Sequence, residues 1–63
     1  MCEAKVFLEK NGERELVMGD VVSITPTSEG VELVDLFGER KPVAAQIKEM
    51  KLLEHIIVLA PTK

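Results

Sequence analysis

The sequence predicts a single all-β domain over residues 1–63, a small antiparallel β-barrel of SH3-like or similar type. Many of its apolar residues are Val and Ile, which favour strands. Short apolar segments are separated by Gly, Pro and Asn at intervals of roughly eight to twelve residues, which is typical of small barrels. Such short chains usually need a disulfide, a metal or a partner subunit. The single cysteine excludes an internal disulfide, so we expect a homodimer.

The first half of the chain predicts a hairpin. Residues 4–9 alternate between apolar and polar or aromatic side chains, which indicates a strand with one buried face. Asn11-Gly12 is a strong hairpin signal, because both residues tolerate a positive φ. Residues 14–17 would form the returning strand, and Met18-Gly19-Asp20 would end it.

Three further strands are expected downstream. Residues 21–25 are rich in β-branched side chains and predict the third strand. Pro26 would end this strand, because it has no backbone N–H to donate to a neighbouring strand. After a turn at 28–30, residues 31–37 predict the fourth strand, and residues 56–59 predict the last.

The segment from Val43 to Leu53 fits two interpretations. Val43, Ile47 and Met50 follow a helical stripe, and the segment is rich in good helix formers. The surrounding short strands instead favour a strand, which is the interpretation adopted here. The predicted core contains the apolar residues expected on the inner faces: Val6, Leu8, Val22, Ile24, Leu33, Leu36, Ile47, Ile57 and Leu59.

Charge and composition disfavour two classes of function, nucleic-acid binding and membrane association. The chain has 8 basic and 11 acidic residues and only two Phe as aromatics. This composition disfavours nucleic-acid binding, which needs basic surfaces and stacking platforms. No apolar run approaches the roughly 20 residues of a membrane span, and charges interrupt the start where a signal peptide would lie. We therefore expect a cytoplasmic protein without membrane contact.

The sequence gives little indication of a catalytic site. The carboxylates have no spacing that suggests a catalytic pair, and the glycines are isolated rather than gathered in a phosphate-binding loop. We therefore expect that the protein is not an enzyme. His55 is the only histidine, and it is more simply a turn or strand-end residue facing water than a metal ligand, since a metal site needs several donors at fixed spacing.

Cys2 has more distinctive chemistry. Removal of Met1 would leave a thiol and a free α-amine on one residue, and these two donors close a five-membered chelate ring around a metal. Two such residues across a two-fold axis would supply an N₂S₂ donor set, which suits Ni(II) and also Cu(II). The alternative is structural, with Cys2 as a small apolar residue on the strand face that carries Ala4 and Val6.

The whole chain resembles the CooT family of small nickel-binding proteins. The resemblance is carried by five segments: residues 1–6 (MCEAKV), 19–21 (GDV), 36–39 (LFGE), 47–49 (IKE) and 55–59 (HIIVL). It implies a compact β-barrel, a homodimer, and a nickel site at the dimer interface built from the cysteine that matches Cys2. Founding members of the family serve nickel delivery to the carbon monoxide dehydrogenase of anaerobic bacteria, while some other members are described as predicted RNA-binding proteins.

These observations leave two main functional hypotheses. The first is a nickel-binding accessory protein, a metallochaperone or nickel-trafficking or nickel-sensing homodimer, which uses Cys2 and serves a nickel-enzyme client. The second is a small interaction barrel that docks onto a protein partner and binds no metal in the cell. An RNA-binding barrel is a third and weaker hypothesis, because the chain is acidic.

Overall fold

The computed structural model describes residues 3–62 and shows one six-stranded sheet. Its strands and the one 3₁₀ turn are β1 (Ala4–Lys10), β2 (Glu13–Thr27), β3 (Gly30–Asp35), β4 (Arg40–Val43), β5 (Ala45–Lys51), the turn Leu52–Glu54 and β6 (Ile56–Pro61). The order across the sheet is β4-β3-β2-β1-β6-β5. The all-β prediction is confirmed.

The sheet curls into a half-barrel and is not wholly antiparallel. β1 and β6 run parallel, with Lys5 opposite Ile56 and Leu8 opposite Leu59, whereas every other pair of neighbours is antiparallel. Curling brings the start of β3 against the start of β5. A Cβ atom on Gly30 would collide with the backbone carbonyl of Val43 and the amide of Ala45, so only glycine fits at this approach.

The first hairpin forms where the sequence predicts it. Asn11 and Gly12 adopt φ values of 55° and 82°, as a tight hairpin turn with matching twist requires. β2 then runs without a break through Met18-Gly19-Asp20, so the predicted interruption there is wrong. The chain bends instead of stopping, because Asp20 has a φ of 55° and the β1–β2 register shifts on either side of Val6.

Pro26 lies inside β2, opposite Val31, although the sequence predicts that it ends a strand. β1 pairs with β2 only as far as Val21, so the stretch that contains Pro26 is paired on one side. A residue without an N–H is tolerated at such an unpaired edge.

Most of the ambiguous segment forms strands, as predicted: Val43 ends β4, Ala45–Lys51 form β5, and Leu52 and Leu53 begin the 3₁₀ turn. The alternative of one helix along the whole segment is wrong. β5 pairs with β6, and a register shift between Ile47 and Glu49 places Ile47 opposite Leu59 and Met50 opposite Ile57. One extra residue at the bulge thus puts Ile47 and Met50, three positions apart, on the same face. The apparent helical stripe is the signature of a bulged strand.

The core prediction is confirmed in part. Val6, Leu33, Ile57 and Leu59 are buried, and Leu8 and Ile24 are half-buried against them. Val22, Leu36 and Ile47 are exposed, so their assignment to the core is wrong. The register shift between Val21 and Ser23 removes Val22 from the inner face, Leu36 lies beyond the end of β3, and Ile47 lies on an edge strand. The buried apolar residues that the sequence did not assign are Val21, Val31, Ala45 and Val58.

Candidate functional site

The start of β1 lies at one end of the sheet, between its two neighbouring strands. Ala4 is opposite Val21 of β2, and Lys5 is opposite Ile56 of β6. The predicted metal ligand, Cys2, lies outside the described residues.

His55 lies beside this strand start. The Lys5 backbone N–H donates to the His55 carbonyl at 2.9 Å, and the His55 N–H donates to the Leu52 carbonyl at 3.3 Å. His55 is exposed and has a left-handed φ of 58°, as expected for a residue that ends a turn. The backbone of His55 connects the 3₁₀ turn to β6, and this connection explains why the residue lies here.

The loop between β3 and β4 reaches the same end of the sheet. The Leu36 N–H donates to the Asp20 carbonyl at 2.8 Å. Asp35 is the buried charged residue of the core, and its Oδ1 accepts the N–H groups of Phe37 at 2.9 Å and Glu39 at 2.8 Å. The carboxylate therefore holds a loop in shape, and this role accounts for its burial.

Five exposed apolar side chains lie on the segments that meet at this end. Phe37 is 81% exposed, Leu53 is 98% exposed and Val22 is 55% exposed. We call this group the apolar end, and its members are Val22, Leu36, Phe37, Leu52 and Leu53. A cleft of about 170 Å³ opens between the start of β1 and β2, and its lining is largely apolar: Ala4, Val21, Val22, Ser23, Ile24 and Ile57.

Charged groups elsewhere form surface ion pairs. The Lys48 ammonium lies 3.1 Å from the Glu9 carboxylate, and Arg14 lies 3.8 Å from Glu9 and 3.9 Å from Glu49. Within residues 3–62, no group of three or more His, Cys, Asp or Glu side chains is arranged to hold a metal ion.

A wider groove of about 400 Å³ lies at the opposite end of the molecule. The turn around Gly30, the start of β5 and Thr62 form its walls, and Glu29 is the one titratable side chain among the described residues that line it. The lining that residues 3–62 contribute offers no set of groups for acid–base or nucleophilic chemistry. Within residues 3–62, no helix is long and apolar enough to span a bilayer.

Comparisons with known proteins agree over nearly the whole chain. Residues 1–60, which include Cys2, match the model of the family described as CO dehydrogenase accessory protein CooT. An uncharacterised protein of Methanocaldococcus jannaschii is 36% identical over 59 residues, covering 94% of this chain and 96% of that protein. The crystal structure of a candidate CooT from Carboxydothermus hydrogenoformans superposes with a TM-score of 0.91 at 37% identity, covering 98% of this chain and 100% of the other.

Proposed function

Because the chain belongs to the CooT family of CO dehydrogenase accessory proteins, we propose that it is a nickel-binding accessory protein that uses Cys2. In this role the protein is a metallochaperone or a nickel-trafficking or nickel-sensing homodimer, and Ni(II) is its cargo. The family match over residues 1–60 is the observation that carries the proposal, since it reaches the one cysteine of the chain. The family is described as accessory rather than catalytic, and its description points to CO dehydrogenase as the client.

The chemistry of Cys2 supports this assignment. Once Met1 is removed, the residue presents a thiolate and an amine, which together form a chelate. Thiolate and amine donors favour Ni(II) over Mg(II) or Ca(II), while Cu(II) binds such sites more tightly still. A free thiol fits a reducing compartment, so we place the protein in the cytosol.

A single chain supplies too few donors for a complete site. Cys2 offers two donors, whereas a square-planar Ni(II) ion takes four. The described residues add no ready cluster of His, Cys, Asp or Glu. A second copy related by a two-fold axis supplies the missing pair and gives one nickel ion for two chains.

The test compares the Met1-processed protein with Cys2→Ser. Titration with Ni(II), followed by thiolate-to-nickel absorption, should saturate at one metal for two chains in the parent. Cys2→Ser retains the size of the side chain and removes the thiolate, so it should lose nickel binding and keep the thermal unfolding midpoint. His55→Ala is the matched control and should bind nickel as the parent does. Nickel binding by Cys2→Ser at the parent affinity would contradict the proposal.

One observation favours the second candidate function, an interaction module without a physiological metal. The apolar end exposes two pairs of adjacent large apolar residues, Leu36-Phe37 and Leu52-Leu53, which suits a protein-docking surface. The two functions differ in the nickel titration: the interaction module should show no thiolate-to-nickel absorption at stoichiometric metal.

A further inference from the structure

The first part of β2 is paired on one side. Between Glu13 and Leu16 it pairs with β1, whereas the pairing of β2 with β3 extends only from Val21 to Thr27. Within residues 3–62, no strand lies along the other side of residues 13–16, and we call this stretch the open edge. Strand edges of this kind present unpaired N–H and C=O groups and accept a further strand.

The hairpin turn sets the direction of the backbone groups at the open edge. Lys10 and Glu13 flank the two-residue turn and lie opposite each other, so their backbone groups face one another. The direction alternates along an antiparallel pair, and no register shift interrupts residues 13–16. Arg14 and Leu16 therefore direct their N–H and C=O groups away from β1.

The other edges of the described sheet carry features that hinder a further strand. β4 contains Pro42, and the later part of β2, beyond its pairing with β1, contains Pro26. β5 has the register shift between Ile47 and Glu49, and such bulges disrupt regular pairing. The open edge has neither a proline nor a register shift, so it is the edge best suited to pair with an extended segment.

The two faces of the open edge differ in charge. Glu13 and Glu15 lie on one face, and both residues are exposed. Among residues 3–62, neither of these carboxylates forms an ion pair. On the other face, Arg14 already lies 3.8 Å from Glu9 and 3.9 Å from Glu49. A neighbouring strand would therefore gain most from basic side chains opposite the two glutamates.

Leu16 adds an apolar contact on the face that carries Arg14. Its side chain is 55% exposed and lies opposite Phe7 of β1. The next residue, Val17, ends the open edge, because the Lys41 ammonium donates to its carbonyl at 3.5 Å. The open edge therefore suits a segment in which basic residues alternate with apolar or β-branched ones.

We propose that the open edge binds an extended segment of a partner protein, which adds to the sheet as a strand beside β2. The segment carries basic side chains opposite Glu13 and Glu15 and an apolar side chain against Leu16. A second copy of the chain fits less well, because antiparallel pairing centred on Glu15 or on Arg14 places like charges opposite each other. The inference goes beyond the proposed function, since it requires neither nickel nor Cys2.

The test uses two synthetic peptides. The first is acetylated and amidated Thr-Val-Lys-Thr-Lys-Val-Thr, whose pattern is the same in both strand directions, and the second carries Glu in place of both Lys. Each is titrated into the parent protein while amide chemical shifts are followed by NMR. The Lys peptide should give saturable shifts centred on residues 13–16, with half-saturation below about 1 mM, and should bind at least tenfold more tightly than the Glu peptide. Absence of saturable shifts up to about 1 mM, or shifts confined to the groove around Gly30, would overturn the inference.

A charge reversal tests the role of the glutamates. Glu15→Lys should lower the affinity for the Lys peptide at least tenfold, because it sets like charges opposite each other. Glu29→Lys is the matched control, since it makes the same change of charge in the turn between β2 and β3 and should keep the parent affinity. Equal losses in the two variants would indicate a general effect of net charge and would contradict strand addition at residues 13–16.

A proline tests the role of the backbone. Leu16→Pro removes an N–H that points away from β1, in the same way that proline is tolerated elsewhere at strand edges, and it should abolish peptide binding. Leu16→Thr retains this N–H and should still give saturable binding. Circular dichroism checks that both variants are folded, and Glu15→Lys decides the question if Leu16→Pro does not fold. Binding of the Lys peptide by folded Leu16→Pro at the parent affinity would overturn the inference.

These outcomes are distinct from those of the nickel titration. Leu16→Pro should bind nickel as the parent does, because the open edge follows the Asn11-Gly12 turn, at the other end of β1 from Ala4. Peptide binding at the open edge without nickel binding would refute the proposed function and support this inference. Concentration-dependent shifts of residues 13–16 in the protein alone would identify a second copy as the occupant and overturn it.

Discussion

Lys5 and His55 are joined by a hydrogen bond of 2.9 Å from the Lys5 backbone N–H to the His55 carbonyl oxygen. His55 makes this contact from a left-handed backbone conformation, with a φ of 58°. A non-glycine residue in that conformation is strained by roughly 1–2 kcal/mol. The strand that follows Cys2 is therefore attached to its parallel neighbour by a residue held in an unfavourable conformation.

This relationship predicts opposite effects for two substitutions of His55. Glycine adopts a positive φ without strain, so His55→Gly should leave the free energy of unfolding unchanged or raise it by up to about 1 kcal/mol. Valine is β-branched and resists this conformation, so His55→Val should lower the free energy of unfolding by roughly 1–2 kcal/mol. Urea denaturation measures both. Equal midpoints for the two variants would show that the backbone conformation of His55 is not restrictive.

The structure predicts different losses of stability for residues that the sequence pattern assigns alike to the core. Leu33→Ala and Ile57→Ala remove buried side chains and should each cost roughly 2–5 kcal/mol, which is a large fraction of the stability of a small domain. Val22→Ala removes an exposed side chain and should change stability by less than about 0.5 kcal/mol. Thermal denaturation compares the three, and a large loss in Val22→Ala would contradict the register of β2.

The contrast shows what could be predicted from the sequence. Alternation and the Asn11-Gly12 signal predict β1 and its hairpin, because period two and turn chemistry are local properties. The bulges at Val21–Ser23 and Ile47–Glu49 depend on which strand pairs with which, and a local pattern does not contain that information. The wrong assignments of Val22 and Ile47 to the core fall at these two bulges.

The candidate site was predictable to a similar degree. The chemistry of Cys2 and its place before the first strand can be read from the chain. The apolar end cannot be read from the chain, because Leu36-Phe37 and Leu52-Leu53 are 15 or more positions apart in the sequence. They lie near the start of β1 only because β1 pairs with β2 and with β6. The parallel alignment of β1 with β6 is the long-range feature that brings His55 to Lys5.

The hydrogen bonds that Asp35 accepts predict how substitutions at this position change the stability of the β3–β4 loop. Its Oδ1 accepts two backbone N–H groups, from Phe37 and Glu39, while the residue is almost wholly buried. Asp35→Ala leaves both donors without this acceptor and should lower the free energy of unfolding by roughly 1–3 kcal/mol. Asp35→Asn retains an acceptor oxygen and should recover most of the loss. Equal destabilisation by both substitutions would indicate that the charge, rather than the acceptor geometry, is what matters.

The pH dependence of nickel binding predicts how many donors the metal takes from Cys2. Each thiol and each α-amine must lose its proton to bind, so affinity rises with pH below their ordinary pKa values of about 8.5 and about 8. For the Met1-processed protein, a site shared by two chains releases about four protons, so the logarithm of the association constant should rise with a limiting slope near four per pH unit at low pH. A site on one chain would release about two protons and give half that slope.

The measurement is competition of the parent protein with a chelator of known pH dependence, followed between about pH 6 and pH 7, where both groups remain mostly protonated. His55→Ala should give the parent slope, because the imidazole is not among the proposed donors. A smaller slope for His55→Ala would add the imidazole to the donor set, and a parent slope near two would contradict the shared site while leaving Cys2 as the ligand of a single chain.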